Sequence, residues 1–258
     1  MSISTELTRL ARNVGALTAD TNAIFEALRA KGVNVPADAQ LSDVAEMIEN
    51  IVIPHQNEVE IGGRWYPYVQ IGNQLWLAEN LDYKFSYNGS TLPIGLNNLP
   101  STPAAWYYNN DESAYGIDGT YKCGMLYNWY AAKYLDDNKS TLLPDGWKVP
   151  SKDDWDILAI EVGGTDTAGT KLKANDNSIT SIWPSGWNGT DNYGFSAIPS
   201  GDYYGNFREF GIGTNYWSTD VYNSDRSVVP YLRQSASLNY ANNRKTDANS
   251  LRLVRTIP

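Results

Sequence analysis

Residues 146–164 read GWKVPSKDDWDILAIEVGG, and the reading of this stretch decides the fold class. Ser151 is placed to cap a helix, with Pro150 just ahead of it. Asp153 and Asp154 fall at the positive end of that helix's dipole, and Gly163-Gly164 stop it. Trp147 and Trp155 stand on either side of the start and can pin it to a core. Upstream, MLYNWYAAKYL (125–135) has helical spacing. Further upstream, residues 59–81 alternate apolar and polar around Gly62-Gly63 and Gly72-Asn73, which predicts successive β-hairpins. Downstream the chain is rich in Gly, Asn, Ser and aromatics, with short strands; in YGFSAIPSG (193–201), Gly194 permits a tight approach while Phe195, Ala197 and Ile198 pack inward. Two helices among many short strands and long loops predict an α+β domain. Trp76, Trp129, Trp147, Trp155 and Trp217 are expected in its core.

The C-terminal part carries the densest polar signal. From Tyr231 to Tyr240 the residues alternate: Leu232, Ala236 and Leu238 face one way, and Tyr231, Arg233, Ser235, Ser237 and Asn239 the other. Pro230 restricts this predicted strand to an edge or to a start there. The final segment SLRLVR (250–255) supplies Leu251 and Leu253 to the core, with a loop over Ala241–Asn249 before it. The polar cluster is therefore predicted as one face of a packed sheet plus a loop.

The N-terminal part has a different rhythm. Leu7, Leu10, Val14, Leu17, Thr21, Ile24 and Leu28 recur in steps of three and four, the seam of a short coiled coil. Such a narrow seam predicts self-association, the other packing being an amphipathic helix docked on the following domain. Lys31-Gly32 is a plausible stop. Ser42 is the expected cap of a second short helix with Leu41, Val44, Ile48 and Ile51 as its stripe, and Pro54 ends it. The chain thus divides into a helical oligomerisation segment, 1–53, and a ligand-binding domain, 54–258.

Composition narrows the function classes. A net charge of −9 and the absence of a basic patch argue against nucleic acid. No run is long enough to insert in a membrane. The first residues, MSISTELTRLARNVGAL, lack the apolar region of a secretory signal, so folding in a reducing cytoplasm is expected. Cys123 is the one cysteine, which leaves no intrachain disulfide and no thiolate cluster for zinc. His55, the one histidine, falls in a linker. No HExxH, GxSxG, P-loop or dinucleotide fingerprint is present. Asp136-Asp137 and Asp153-Asp154 read as helix-end charges. Asp111, Glu112 and Asp118 offer oxygen ligands to calcium but lack the spacing of a calcium loop. The chain is expected to use no metal, no cofactor and no catalytic residue.

Several segments together resemble the Fibrobacter succinogenes major paralogous domain: IGNQLWLAENLDY, CGMLYNWYAA, LPDGWKVPSKDDWDIL, AGTKLKA, GTDNYGFSAIPSGDYYGNF, NYWSTD and SLRLVR, in that order from about Glu58 to Arg255. The resemblance implies a C-type-lectin-like fold related to the variable-protein and formylglycine-generating-enzyme branches. The latter work through paired cysteines, which this chain lacks. AKGVNVPADAQLSDVAEMIENI (30–51) is similar to an element near the start of many phage tail proteins. Together these imply a tail-tip or tail-fibre receptor-binding protein of a phage or prophage, located in the virion tail. It would trimerise through residues 7–28, contact other tail components, and bind a host-surface protein or glycan. The alternative is an adhesin or carbohydrate-binding module on a bacterial surface.

In the variable-protein relatives the C-terminal face binds ligand and can be diversified by a retroelement that replaces template adenines. Asn codons mutated this way never yield Lys, Glu, Gln, Met or Trp. From Gly211 onward there is no Glu or Met, and Trp217, Gln234 and Lys245 alone break the set. Those three are expected to be scaffold. The candidate ligand-binding residues are Asn223, Asp225, Tyr231, Arg233, Ser235, Ser237, Asn239, Tyr240, Asn242, Asn243, Arg244, Asp247, Ala248 and Asn249. The opposing view is that Asn and Ser simply suit turns and solvent faces.

Overall fold

The computed structural model describes residues 18–30, 34–44, 55–113, 123–175 and 183–257, and the chain divides into two compact units, Met1–Gln56 and Asn57–Pro258. In the first, residues 18–30 form helix α1. Phe25 and Leu28 are buried with Val35, and Ala39 and Val44 pack on them. Of the seven heptad positions, Leu28 is buried, Thr21 half-buried and Ile24 exposed, while Leu7, Leu10, Val14 and Leu17 lie outside the described residues. Phe25 stands outside the predicted seam. The expected Ser42-capped helix begins instead with a short 3-10 turn, Leu41–Asp43, capped at Gln40 and so two residues earlier. There the Gln40 N–H donates to Asp43 Oδ2 at 2.8 Å. Lys31, Gly32, Ile48, Ile51 and Pro54 lie outside the described residues.

The second unit is α+β. Its strands are β1 (Glu58–Ile61), β2 (Arg64–Ile71), β3 (Gln74–Leu77), β4 (Ser86–Tyr87), β5 (Ser90–Thr91), β6 (Ala105–Trp106), β7 (Leu126–Asn128) and β8 (Trp147–Lys148). They continue with β9 (Ser200–Tyr203), β10 (Phe207–Phe210), β11 (Thr214–Asn215), β12 (Arg226–Leu232), β13 (Asn239–Arg244), β14 (Ala248–Asn249) and β15 (Val254–Thr256). Between β7 and β9 lie helices α2 (Trp129–Asp137), α3 (Lys139–Leu142), α4 (Lys152–Glu161) and α5 (Thr165–Leu172). A five-stranded sheet runs β1-β2-β3-β15-β8, and a longer one runs β13-β12-β11-β9-β14-β7-β6, with β10 paired to β9.

Local chemistry explains the main elements. The β1–β2 turn holds Gly62 and Gly63 at φ 61° and 81°, the left-handed pair that a two-residue hairpin demands. Ser151 Oγ accepts the Asp154 N–H at 3.2 Å, and Asp154 Oδ2 accepts the Ser151 N–H at 2.7 Å, so α4 starts on a reciprocal cap. Lys148 adds its ammonium to Asp154 at 2.7 Å. All five expected tryptophans are buried, as are Phe195, Ala197 and Ile198.

The C-terminal reading needs correction. The predicted strand 231–240 is two strands: β12 ends at Leu232, β13 starts at Asn239, and they pair as an antiparallel hairpin from Arg226↔Arg244 to Tyr231↔Asn239. The predicted loop 241–249 is largely β13 and β14. Pro230 sits inside β12, tolerated because its neighbour β11 stops at Asn215; its carbonyl accepts the Tyr216 N–H at 2.9 Å. Leu251 and Leu253 are buried as expected, but Arg252 between them is buried too. Residues 250–253 are not strand, so no alternation turns Arg252 outward.

Candidate functional site

The connection between β12 and β13 is held in place by α5. Thr170 N–H donates to Ala236 O at 2.9 Å, and the Leu238 N–H to Thr165 O at 2.9 Å. Lys173, just past α5, donates its ammonium to Arg233 O at 2.9 Å and Ser235 O at 3.2 Å. Burial pushes the Lys173 ammonium down to about 8. Gly169 is required by contact: a Cβ there would lie 2.5 Å from Ser237 O and 2.7 Å from Ala236 O. The AGTKLKA segment is thus a seat for the loop.

The hairpin does not present the predicted residues as one face. Residues paired directly across two strands share a side, and successive residues alternate. Tyr231 and Asn239 therefore lie on one side, and Tyr240 and Asn242 on the other. Tyr240 is tied into α4: its hydroxyl donates to Asp156 Oδ1 at 2.6 Å, and the Lys152 ammonium lies 4.7 Å from its ring centre. Asn223, Asp225 and Ser235 are exposed, while Tyr231, Arg233, Ser237, Asn239, Asn242 and Arg244 are half-buried. Asn223 makes the turn before β12, its Oδ1 accepting the N–H groups of Asp225 (2.9 Å) and Arg226 (2.8 Å).

Four candidates are taken up by the fold. Asn243, Asp247, Ala248 and Asn249 are buried, with Asn243 Nδ2 donating to Asn249 Oδ1 at 3.2 Å. Short strands leave many internal backbone and polar groups to satisfy, so polar side chains are recruited inward. Of the three expected scaffold residues, Trp217 and Lys245 are buried; Trp217 Nε1 donates to Tyr127 O at 2.6 Å, and the Lys245 ammonium to Ser224 O at 3.1 Å. Gln234 is exposed, which gives it no scaffold role.

The residues that converge are arginines, and half of them come from outside the predicted set. Arg208 grips buried Asp202 with two bonds, Nε to Oδ1 at 3.1 Å and Nη2 to Oδ2 at 3.0 Å. Asn215 Nδ2 also donates to Asp202 Oδ2 at 2.9 Å. Arg244 grips buried Asp247 through Nε at 3.1 Å and Nη2 at 2.9 Å. Both guanidinium groups lie against Tyr204, at 3.8 Å (Arg208) and 5.6 Å (Arg244) from the ring centre. Arg226 is near enough to act on the same phenol, which burial chiefly pushes up to about 12. Burial also raises the Asp202 and Asp247 carboxyls, against the pull of their arginines. Next to this group, Arg233 pairs with Glu209 and lies 4.4 Å from the Tyr231 ring centre. Glu209 adopts φ 60°, a left-handed conformation uncommon for a side chain of its size.

Asp202, Tyr204, Arg208 and Glu209 belong to GDYYGNFREFG and precede Gly211, where the adenine-type pattern begins. A usable signal was there: between Lys173 and Lys245 every basic residue is an arginine, namely Arg208, Arg226, Arg233 and Arg244.

Other candidate chemistry is quieter. Cys123 is buried, and burial pushes its thiol up to about 12, away from the reactive thiolate. Glu112 pairs with Lys84 at 2.6 Å, and Asp111 Oδ1 accepts from Ser113, while Asp118 lies outside the described residues. Among the described residues no group of three His, Cys, Asp or Glu is arranged to hold a metal, and no helix is long and apolar enough to cross a membrane. A cleft of about 510 Å³ is lined by Asn57, Tyr68, Val69, Gln70, Leu75, Tyr193 and Ile257.

The Fibrobacter succinogenes major domain matches residues 69–255. The chain belongs to this family. The Fibrobacter succinogenes major domain here spans from Val69 in β2 to Arg255 in β15 and so contains the whole arginine strip. Residues 1–68 fall outside it. A search of curated proteins found no match.

Proposed function

We propose that the chain is a receptor-binding protein of a phage or prophage tail, recognising a host-surface ligand through the arginine–tyrosine strip beside the β12–β13 hairpin. The observation that carries this reading is the strip itself: the guanidinium groups of Arg208, Arg233 and Arg244 lie against tyrosine rings, each paired with an acid, and exposed Arg226 lies beside them. Rigid aromatics with adaptable polar groups are the composition of recognition surfaces. The domain is read as C-type-lectin-like, without catalytic role, cofactor or metal. Residues 1–53 are read as the tail-attachment segment, trimerising through residues 7–28, so that repeated weak contacts gain by avidity. Of the predicted positions, the exposed and half-exposed ones (Asn223, Asp225, Tyr231, Arg233, Ser235, Ser237, Asn239, Tyr240, Asn242 and Arg244) are those a diversity-generating retroelement would vary.

Two measurements test this. The triple variant Tyr231→Ala, Arg226→Ala, Arg233→Ala should lose binding to host cells while its melting temperature stays within about 3 °C, since surface changes cost little. Undiminished adhesion refutes the surface. Deletion of residues 1–30 should lower the mass seen by light scattering; an unchanged mass refutes the coiled coil.

A further inference from the structure

Resting on that reading of the strip, we infer that the ligand carries a carboxylate, as a uronic-type acidic sugar does, and that this group sits at the outward edges of Arg208 and Arg244 beside Tyr204. Each arginine uses its Nε and one Nη for an internal aspartate. Guanidinium has five N–H donors in a fixed fork, so the Nη1 donors and one hydrogen of Nη2 remain on each. The Arg208 and Arg244 side chains are 40% and 42% exposed, against 1% and 0% for Asp202 and Asp247. The anchors are therefore hidden, while each arginine keeps a large part of its side chain open to solvent.

Preorganisation is the second argument. A free arginine loses much rotamer freedom when it grips a ligand, and these two have already lost it to their aspartates and to the Tyr204 ring. Charge adds to this. Arg208, Arg226 and Arg244 are met by buried Asp202 and Asp247 and by exposed Asp225, so the strip is close to neutral and offers spare N–H donors more than surplus charge. A singly charged carboxylate suits such a seat better than the near-double charge of phosphate. A planar carboxylate also fits the parallel N–H pair of a guanidinium edge. Half-buried Asn242, two residues before Arg244 and so on the same side of β13, supplies a hydrogen-bonding group for the sugar ring.

Full-length protein is titrated calorimetrically with glucuronate, methyl glucoside and inorganic phosphate at low salt. Glucuronate should bind, weakening as salt rises, and methyl glucoside should not. Replacing Arg208 alone strands Asp202, so the variant pairs Arg208→Gln with Asp202→Asn, and Arg244→Gln with Asp247→Asn. Each double variant should weaken glucuronate roughly tenfold, about the worth of a charge-assisted bond. Equal binding of methyl glucoside, phosphate in preference to glucuronate, or undiminished binding by both double variants overturns the seat. Cell adhesion separates the two readings. Adhesion that survives both double variants overturns the seat and leaves the receptor face standing. Glucuronate binding without adhesion supports the seat and refutes the receptor.

Discussion

Replacing Arg252 with methionine isolates one buried guanidinium. Its donors reach Asn80 Oδ1 at 2.7 Å, Leu77 O at 3.0 Å, Ser196 O at 3.1 Å, and Phe195 O as well. The group also lies 4.7 Å from the Phe195 ring centre. It therefore ties residues 77–80 to 195–196 and to the C-terminal segment. Methionine keeps an unbranched apolar stem of similar reach, so the loss is chiefly polar. Hydrogen bonds to a charged group contribute about 1.5–3 kcal/mol each. Relief from burying the guanidinium offsets part of that sum; each stranded neutral acceptor costs about 1–3 kcal/mol, and a net loss of about 4 kcal/mol is expected. For a domain of about 200 residues, each kcal/mol moves the melting temperature by about 2–4 °C, so Arg252→Met should melt about 12 °C lower by calorimetry. Arg252→Lys should fall between, because an ammonium has three donors and no planar fork. A loss below about 3 °C for Arg252→Met would show that the four acceptors find other partners, and the reasoning would fail.

Two further outcomes follow from the seat of the hairpin. Gly169→Ala puts a Cβ against the backbone of residues 236–237, and should destabilise the protein by about 1–3 kcal/mol in urea, where neutrality would show that the loop is free to shift. Lys173 holds its proton less tightly folded than unfolded, with its ammonium pushed down to about 8 from 10.5, so the unfolded chain binds the extra proton between those values. Stability should therefore rise with pH across that window relative to Lys173→Met, by on the order of 2 kcal/mol, and parallel curves for the two proteins would refute the burial of a charged amine.

How far the sequence could be read depended on whether a signal was local. The Gly62-Gly63 hairpin and the Ser151 cap are fixed by a few adjacent residues, and both formed as expected. The tryptophans were placed by size alone. The stretch 231–240 misled because alternation continues through residues whose backbone is claimed by α5 instead of by a neighbouring strand. Arg252 looked like the outward member of an alternating strand, yet its partners lie 172 and 57 positions away in sequence, at Asn80 and Phe195. Asp247 read as a ligand-binding residue, and Asp202 drew no reading, for the same reason: nothing near them in sequence says that an arginine lies over them as a cover. In the candidate site, Arg233 and Arg244 were found and Arg208 was missed, since it comes from a strand that joins the strip only through tertiary packing.

The family domain starts and finishes in one sheet: Val69 lies in β2, Arg255 lies in β15, and just past it the Ile257 N–H bonds Asn73 O at 2.8 Å. Everything between, the hairpin and its arginines included, is an excursion that returns to its root. Cargo grafted after the last residue would hang from the five-stranded sheet, leaving the β12–β13 edge of the other sheet uncommitted. For protein engineering, that makes the fold a display frame whose presenting surface and whose handle can be altered independently.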